Sequence, residues 1–443
     1  MQKLAKHLSK LSGLHEGRTI VTAIGALLLM LLCVVPAFSY SVLTHEEIVD
    51  LLWNDEIQPN LLARFPGLTE EQLREAHAYA YGGSVIQDLG YYPFGNKEFT
   101  NLVHYVRSGE FVREMLRQSQ NANEYAFAIG ALAHYTSDFS GHPAVNRAVA
   151  MQYPKLRQKF GDSVTFEQSK TAHVKTEFSF DVLQVAKHRY QAKEFRSFIG
   201  FEVSKELLKR VFPVVYGREL DDVLPHLDLT IRTYRYAASQ FIPELTKVAA
   251  QMHKNDLPAD PGTPAQQLFL YHLSRAEFEK EWGRDYYKPK FFFRVLGAII
   301  KLIPKIGPLK TLVFRDPTPE TEELYFRSIN TTVDRYRAFL NEIRGTRDIA
   351  LRNLDLDTGK PVAPGEGMLA DETYRNLVRD IAQKDFKLTS AHLRDDILKF
   401  FSGYTPPTKK RSDRKEWQKT LKSLNELRSL VPHSEVAAVG ESR

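Results

Sequence analysis

Apolar residues recur at helical spacing along most of the chain. The stretches Glu70 to Tyr81, Tyr125 to Ser137, Phe201 to Val211 and Asp228 to Met252 each gather them on one side of a helical turn, and each predicts a helix. Asp316-Pro317-Thr318-Pro319 opens a further helix that runs to about Ile343. Arg414 to Leu430 carries Trp417, Leu421, Leu424 and Leu427 at the same spacing, which reads as a docking face. Strand-like alternation is scarce, so the pattern predicts an all-α fold. Turn-forming residues gather late, at Asn255 to Pro264, Asp357 to Gly367 and Tyr404 to Pro407, and these predict loops. The Asp355/Asp357/Gly359 trio does not have the spacing of an EF-hand. There is no internal repeat.

One apolar run stands apart. Ile20 to Val35 follows Lys3, Lys6, Lys10 and Arg18 and precedes the small residues Ala37 and Ser39, the arrangement of a secretory signal cleaved before Tyr40. The rival reading is an uncleaved anchor, because Thr19 to Thr44 carries no charge and is long enough to span a bilayer. Either way the chain is expected to be exported, to the periplasm or the medium. Its one cysteine, Cys33, lies in this run, so the exported part has no disulfide. The expected organisation is a signal or anchor over 1–39, a first domain over 40–253, a helical region over 254–403, and a basic linker with a tail helix over 404–443.

Composition narrows the class only a little. The chain has 443 residues, 43% hydrophobic and 26% charged, which is ordinary for a globular protein and excludes wholesale disorder. A formal charge of +6 permits attraction to phosphate or an anionic surface without demanding it.

The chemistry lies between residues 40 and 177: His45, Asp88, His104, His134, Asp138, His142, His173 and Glu177. His134/Asp138 and His173/Glu177 are four residues apart in helical stretches, which puts both members of each pair on one face. Imidazole and carboxylate together suit zinc. One such pair means little, since 14 histidines among many acids produce pairs by chance; His392/Asp396 has the same spacing and reads as solvated surface. His134, however, follows the uncharged run Ala126 to Ala133, where a polar group must be satisfied. His142 lies between Gly141 and Pro143, where the helix is expected to end. The remaining histidines, His77 among them, read as surface or satisfied core.

This order of residues resembles the zinc-dependent phospholipase C family, which is itself similar to the fungal zinc nucleases and to the amino half of glycosylphosphatidylinositol-specific phospholipase D. The local phrases Leu43-Thr44-His45, Gly83-Ser84 with Asp88 and Tyr91, and His173-Val174-Lys175-Thr176-Glu177 carry the likeness, which covers about residues 40–250. It implies two to three zinc ions. One would take Asp88, His104, His134 and Asp138, and a second His142, His173 and Glu177. A third would take Tyr40, through its freed amine and carbonyl, and His45, with Asp138 bridging. Two departures are visible: the residue at the new N-terminus is Tyr rather than Trp or Cys, and the His134-to-His142 gap is two residues shorter than in the bacterial phospholipases.

The resemblance implies hydrolysis of a phosphodiester, most simply of a phospholipid on its glycerol side, by attack of zinc-bound hydroxide. Asp88 would orient or deprotonate the attacking water. A nuclease or nucleotidase on the same scaffold, taking nucleic acid instead, is the alternative. So is a membrane-associated protein with purely structural zinc. Tyr91 or Phe94 is a candidate wall of the substrate pocket. From Tyr286 to Arg315 the chain has no acid and mixes aromatic, aliphatic and basic residues. That composition suits a segment lying in an anionic headgroup layer, or a buried hairpin with lysines at its rim.

Overall fold

The structure is a computed structural model and describes residues 42–189, 200–253, 258–275, 314–346, 348–404, 406 and 411–430. Tyr40, the apolar run at 20–35 and the Phe291–Ile306 stretch lie outside the described residues. Among those described, the architecture is almost wholly helical, and no helix is long and apolar enough to cross a membrane. In chain order the longer elements are α1 (Val42–Leu52), α2 (Glu70–Ser84), α3 (Lys97–Tyr105), α4 (Ser108–Gln118), α5 (Ala122–Gln152), α6 (Lys170–Ala186), α7 (Lys205–Tyr216), α8 (Leu227–Tyr236), α9 (Ile242–Met252), α10 (Pro264–Arg275), α11 (Pro319–Ile343), α12 (Met368–Gln383), α13 (Ala391–Phe400) and α14 (Arg411–Ser429). Between α11 and α12 the strands β1 (Leu354–Asp355) and β2 (Lys360–Pro361) pair antiparallel as a minimal hairpin.

The helices start where side chains satisfy their orphan amides. Thr69 and Gln72 form a capping box on α2, Thr318 and Thr321 do the same on α11, and the Asn121 side chain accepts from the Glu124 amide on α5. The expected 228–252 helix is present as α8 and α9, joined by a π-turn over Ala237–Phe241. The helix expected from Phe201 instead starts at Lys205. The Glu202 amide bonds the Ala78 carbonyl, which holds the chain extended against α2.

α5 is the axis of the fold. Ala126 to Ala133 is apolar on every side, and every residue of it is buried, as a helix with no polar face must be. α2 crosses it closely: a Cβ on Gly83 would sit 2.0 Å from the Phe127 carbonyl oxygen, and one on Gly130 would sit 2.1 Å from that of Ala80. α11 lies along another side, with Tyr336 donating to the Ile129 carbonyl at 2.9 Å. Apolar residues of α1, α2, α5, α7, α9, α11 and α12 join in one hydrophobic cluster, so helices before and after residue 254 share a core. Each fully buried large side chain there contributes roughly 1.5–3 kcal/mol.

Helix α5 also departs from expectation near His142. It does not end at Pro143 but continues to Gln152. The proline removes one helical bond, the one its amide would have made to Phe139. Val145, Val149 and Ala150 hold the following turns by packing on Val164 and Ala172.

Candidate metal centre

Continuation of α5 through Pro143 puts His134, Asp138 and His142 on one stripe, four residues apart. Asp138 is the hub. Its Oδ2 lies 3.1 Å from His134 Nε2 and 3.3 Å from His104 Nε2, and its Oδ1 lies 3.6 Å from His45 Nε2 and 3.7 Å from His142 Nε2. His45 comes from α1, whose first turn is anchored when Asp181 of α6 accepts from the Leu43 amide and the Thr44 hydroxyl. The His45 and His134 rings stack at 4.4 Å. Asp88 comes from a 3-10 turn, Ile86–Tyr91, braced from both sides: Gln87 donates to the Ala131 carbonyl and the Gly90 amide to Thr100 Oγ1. Its Oδ1 is 3.5 Å from His104 Nε2.

A second group lies one turn further along α5. Glu177 Oε1 sits 2.8 Å from His173 Nε2 and 3.5 Å from His142 Nε2. The structure therefore gathers the predicted residues into three neighbouring sets: His45/His134/Asp138 and Asp88/His104/His134, which share His134, and His142/His173/Glu177, each with its donor atoms within 4.8 Å of one another. All eight are buried.

The histidine tautomers carry the chemical argument. His134 Nδ1 bonds the Ser84 carbonyl at 2.9 Å, His104 Nδ1 the Thr100 carbonyl at 2.9 Å, and His142 Nδ1 the Leu356 carbonyl at 2.8 Å. A carbonyl only accepts, so each Nδ1 holds a proton, which leaves Nε2 as the nitrogen able to offer a lone pair to a metal. Those Nε2 atoms face carboxylate oxygens, and the Nε2 atoms of His104, His134 and His173 are buried without a hydrogen bond. Such an arrangement is stable only with positive charge between the two sides. Imidazole and carboxylate donors in sets of three, with His104, His134 and His142 braced from behind, fit zinc.

The electrostatics differ across the cleft. Burial alone would depress His104, but the carboxylates of Asp138 and Asp88 lift it to about 9. Burial pulls His142 down despite Asp138, and pulls His173 down strongly. Asp138 is held well below the usual carboxylate range by His134 and His142, against the upward push of burial.

Several site residues were not legible in the sequence. Asp357, from the turn after β1, accepts from the Tyr105 hydroxyl and lies 3.5 Å from His142 Nδ1. Burial and then Asp355 push its carboxyl up to about 8. Phe166 meets the His173 ring edge-on at 5.5 Å and packs with Tyr91, Val174 and Leu369. Tyr91 sits among the carboxylates: burial, then Asp357, Asp88, Asp138 and Glu177, raise its phenol. Phe94, the other expected wall residue, is 57% exposed. His77 is a satisfied core residue, bonded to Asp50 and stacked on Trp53. The His392/Asp396 pair divides: His392 faces solvent beside Arg107, whereas Asp396 accepts from Tyr374.

A helical fold that buries three neighbouring imidazole–carboxylate sets has the donors to hold metal ions. Residues 44–223 match the family model described as zinc dependent phospholipase C. No curated protein and no solved structure matches the chain.

Proposed function

We propose that the protein is an exported zinc metallohydrolase that cleaves the glycerol-side phosphodiester of phospholipids. The observation that carries this reading is the set of buried Nε2 atoms facing carboxylates across the cleft, within a region that matches the zinc-dependent phospholipase C family model. Bound zinc supplies Lewis acidity and brings the pKa of a water close to neutrality. The chain's own groups do the rest. Asp138, between the sets, keeps their donors in register. Asp88, held by the turn that Gln87 and Gly90 brace, orients and deprotonates the attacking water. Tyr91 and Phe166 flank the cleft beside the second set and exclude water from that side.

Two further parts of the reading rest on sequence. The basic, apolar and small-residue order of 1–39 supports export, with Tyr40 freed to join His45 and Asp138. The acid-free 286–315 segment supports peripheral contact with an anionic membrane. Only its end is described, where the buried Phe314 ring stacks on His253 and Arg315 donates to the Gln152 carbonyl.

The decisive experiment is metal analysis of the purified protein joined to a substrate panel of phosphatidylcholine vesicles, single-stranded DNA and a chromogenic phosphodiester. Zinc-dependent release of diacylglycerol is the expected result. Cleavage of DNA alone would turn the reading to a nuclease. Zinc without hydrolysis of any of the three would leave the metal structural.

A further inference from the structure

We propose that Arg352–Gly359, a segment well past the matched region, straps the metal centre and that its Leu356 carbonyl and Asp357 carboxylate are positioning groups for His142. This rests on the reading of the three sets as metal sites.

The strap touches ligand-bearing elements at both ends of the cleft. Its Leu356 carbonyl accepts from His142 Nδ1 at 2.8 Å, and the Leu356 amide donates to the His104 carbonyl at 3.2 Å. Asp357 is fixed twice: its carbonyl accepts from Asn146 Nδ2 at 2.8 Å, one turn beyond His142, and its carboxylate accepts from Tyr105, the neighbour of His104. Further along, Ser108 Oγ bonds the Leu354 carbonyl at 2.6 Å and Tyr135 donates to the Arg352 carbonyl at 2.7 Å. The turn closes on itself, since Asp355 Oδ1 accepts from the Asp357 and Thr358 amides.

The seat of the strap is the break in α5. Pro143 leaves the Phe139 carbonyl without its helical donor. Gly359 packs there at φ +68°, and a Cβ on it would stand 2.4 Å from that oxygen. Only a glycine allows this approach, at a carbonyl three residues before His142.

The consequence concerns tautomer and aim. A histidine offers Nε2 to a metal only if Nδ1 carries the proton, and the acceptor behind Nδ1 sets both proton and ring orientation. For His104 and His134 that acceptor is a carbonyl inside residues 44–223. For His142 it comes from the strap. The second set is thus completed by the far end of the chain.

The test uses full-length protein, stripped with a chelator and titrated with Zn²⁺ by calorimetry and with Co²⁺ by visible absorption. Gly359→Ala displaces the strap, Asp357→Asn keeps its shape but replaces the carboxyl that faces Tyr105 and His142, and Asn146→Ala removes one anchor. Each should weaken a single class of site about 10- to 100-fold, the range for lost outer-shell partners. That class should also change its Co²⁺ spectrum, while the remaining sites keep wild-type affinity and far-UV circular dichroism is unchanged. A strap that only packs would lower the melting temperature and leave every site at wild-type affinity, which overturns the proposal. So does equal weakening of all sites. Should one variant fail to fold, the other two decide. Wild-type protein that takes up no zinc refutes the metal reading itself, and shows it before any variant is compared.

Discussion

The two ends of the metal cleft are built in different ways. The end around His104 and His134 is local in origin: its ligands come from α1, the Asp88 turn, α3 and α5, and the carbonyls behind its imidazoles belong to Ser84 and Thr100. It is rich in carboxylate, with Asp88 and Asp138 both facing His104. At the end around His142 and His173, Glu177 faces both imidazoles, Asp138 and Asp357 also approach His142, and the group behind His142 arrives from residue 356. At the first end the carboxylates raise His104 despite its burial, whereas burial lowers the second end's His142 and His173. The lesson is that one chemical alphabet gives two sites of different character, set by whether burial or the facing carboxylates win at each imidazole.

The sharpest way to break this comparison is to remove a donor that two sets share. His134 belongs to both the His45 set and the Asp88 set. His134→Ala should lose metal from the first end by more than about 100-fold, above the range for an outer-shell partner, and should abolish hydrolysis. His173→Ala should empty only the second end. Elemental analysis after dialysis checks both. If His134→Ala retained wild-type stoichiometry, His134 would leave the ligand set.

The next effect is pH-dependent. His104 has a folded-state pKa of about 9, above the ordinary 6.5. In the metal-free fold its protonated form therefore stabilises; that contribution is complete below about 6.5 and is lost as pH rises through about 9. Zinc must displace the same proton, so affinity at the first end should climb between pH 6.5 and 9, by up to ~10-fold per unit. His142 and His173 are depressed and already neutral there, so no imidazole proton opposes metal at the second end, and only Asp357, pushed up to about 8, titrates beside it. Calorimetric titrations across this window should resolve one steep and one shallow class. Two classes with the same slope would erase the distinction.

Much of the first end was legible in the sequence, because helical spacing places His134 and Asp138 together and the uncharged run before them demands burial. The full stripe was harder to see. A proline after His142 reads locally as a helix stop, and only packing on both sides carries α5 past it. The carbonyls of Ser84, Thr100 and Leu356 could not be read at all, since every residue has one and only the fold selects which faces a histidine. Asp357 was passed over for a related reason. Its spacing fits no ligand loop, and its role arises from contact with residues more than two hundred positions earlier. Gly83 and Gly130 were legible as small residues but not as the reason α2 reaches α5.

Those glycines give the last and smallest effects, on the two sides of α5. Gly130→Ala puts a methyl group 2.1 Å from the Ala80 carbonyl oxygen, so α2 must move and carry the Ser84 carbonyl away from His134. The expected cost is about 1–3 kcal/mol of stability, with weaker metal binding at the first end. Tyr336→Phe, on the α11 side, removes only the bond to the Ile129 carbonyl at about 1 kcal/mol and should leave metal binding untouched. Both helices bury the same axis, but only α2 supplies an acceptor to a ligand. Equal losses of stability with unequal losses of metal would separate support of the core from support of the site. If Tyr336→Phe weakened zinc as much as Gly130→Ala, α5 would be responding as a whole, and the division of the cleft into two independently built ends would fail.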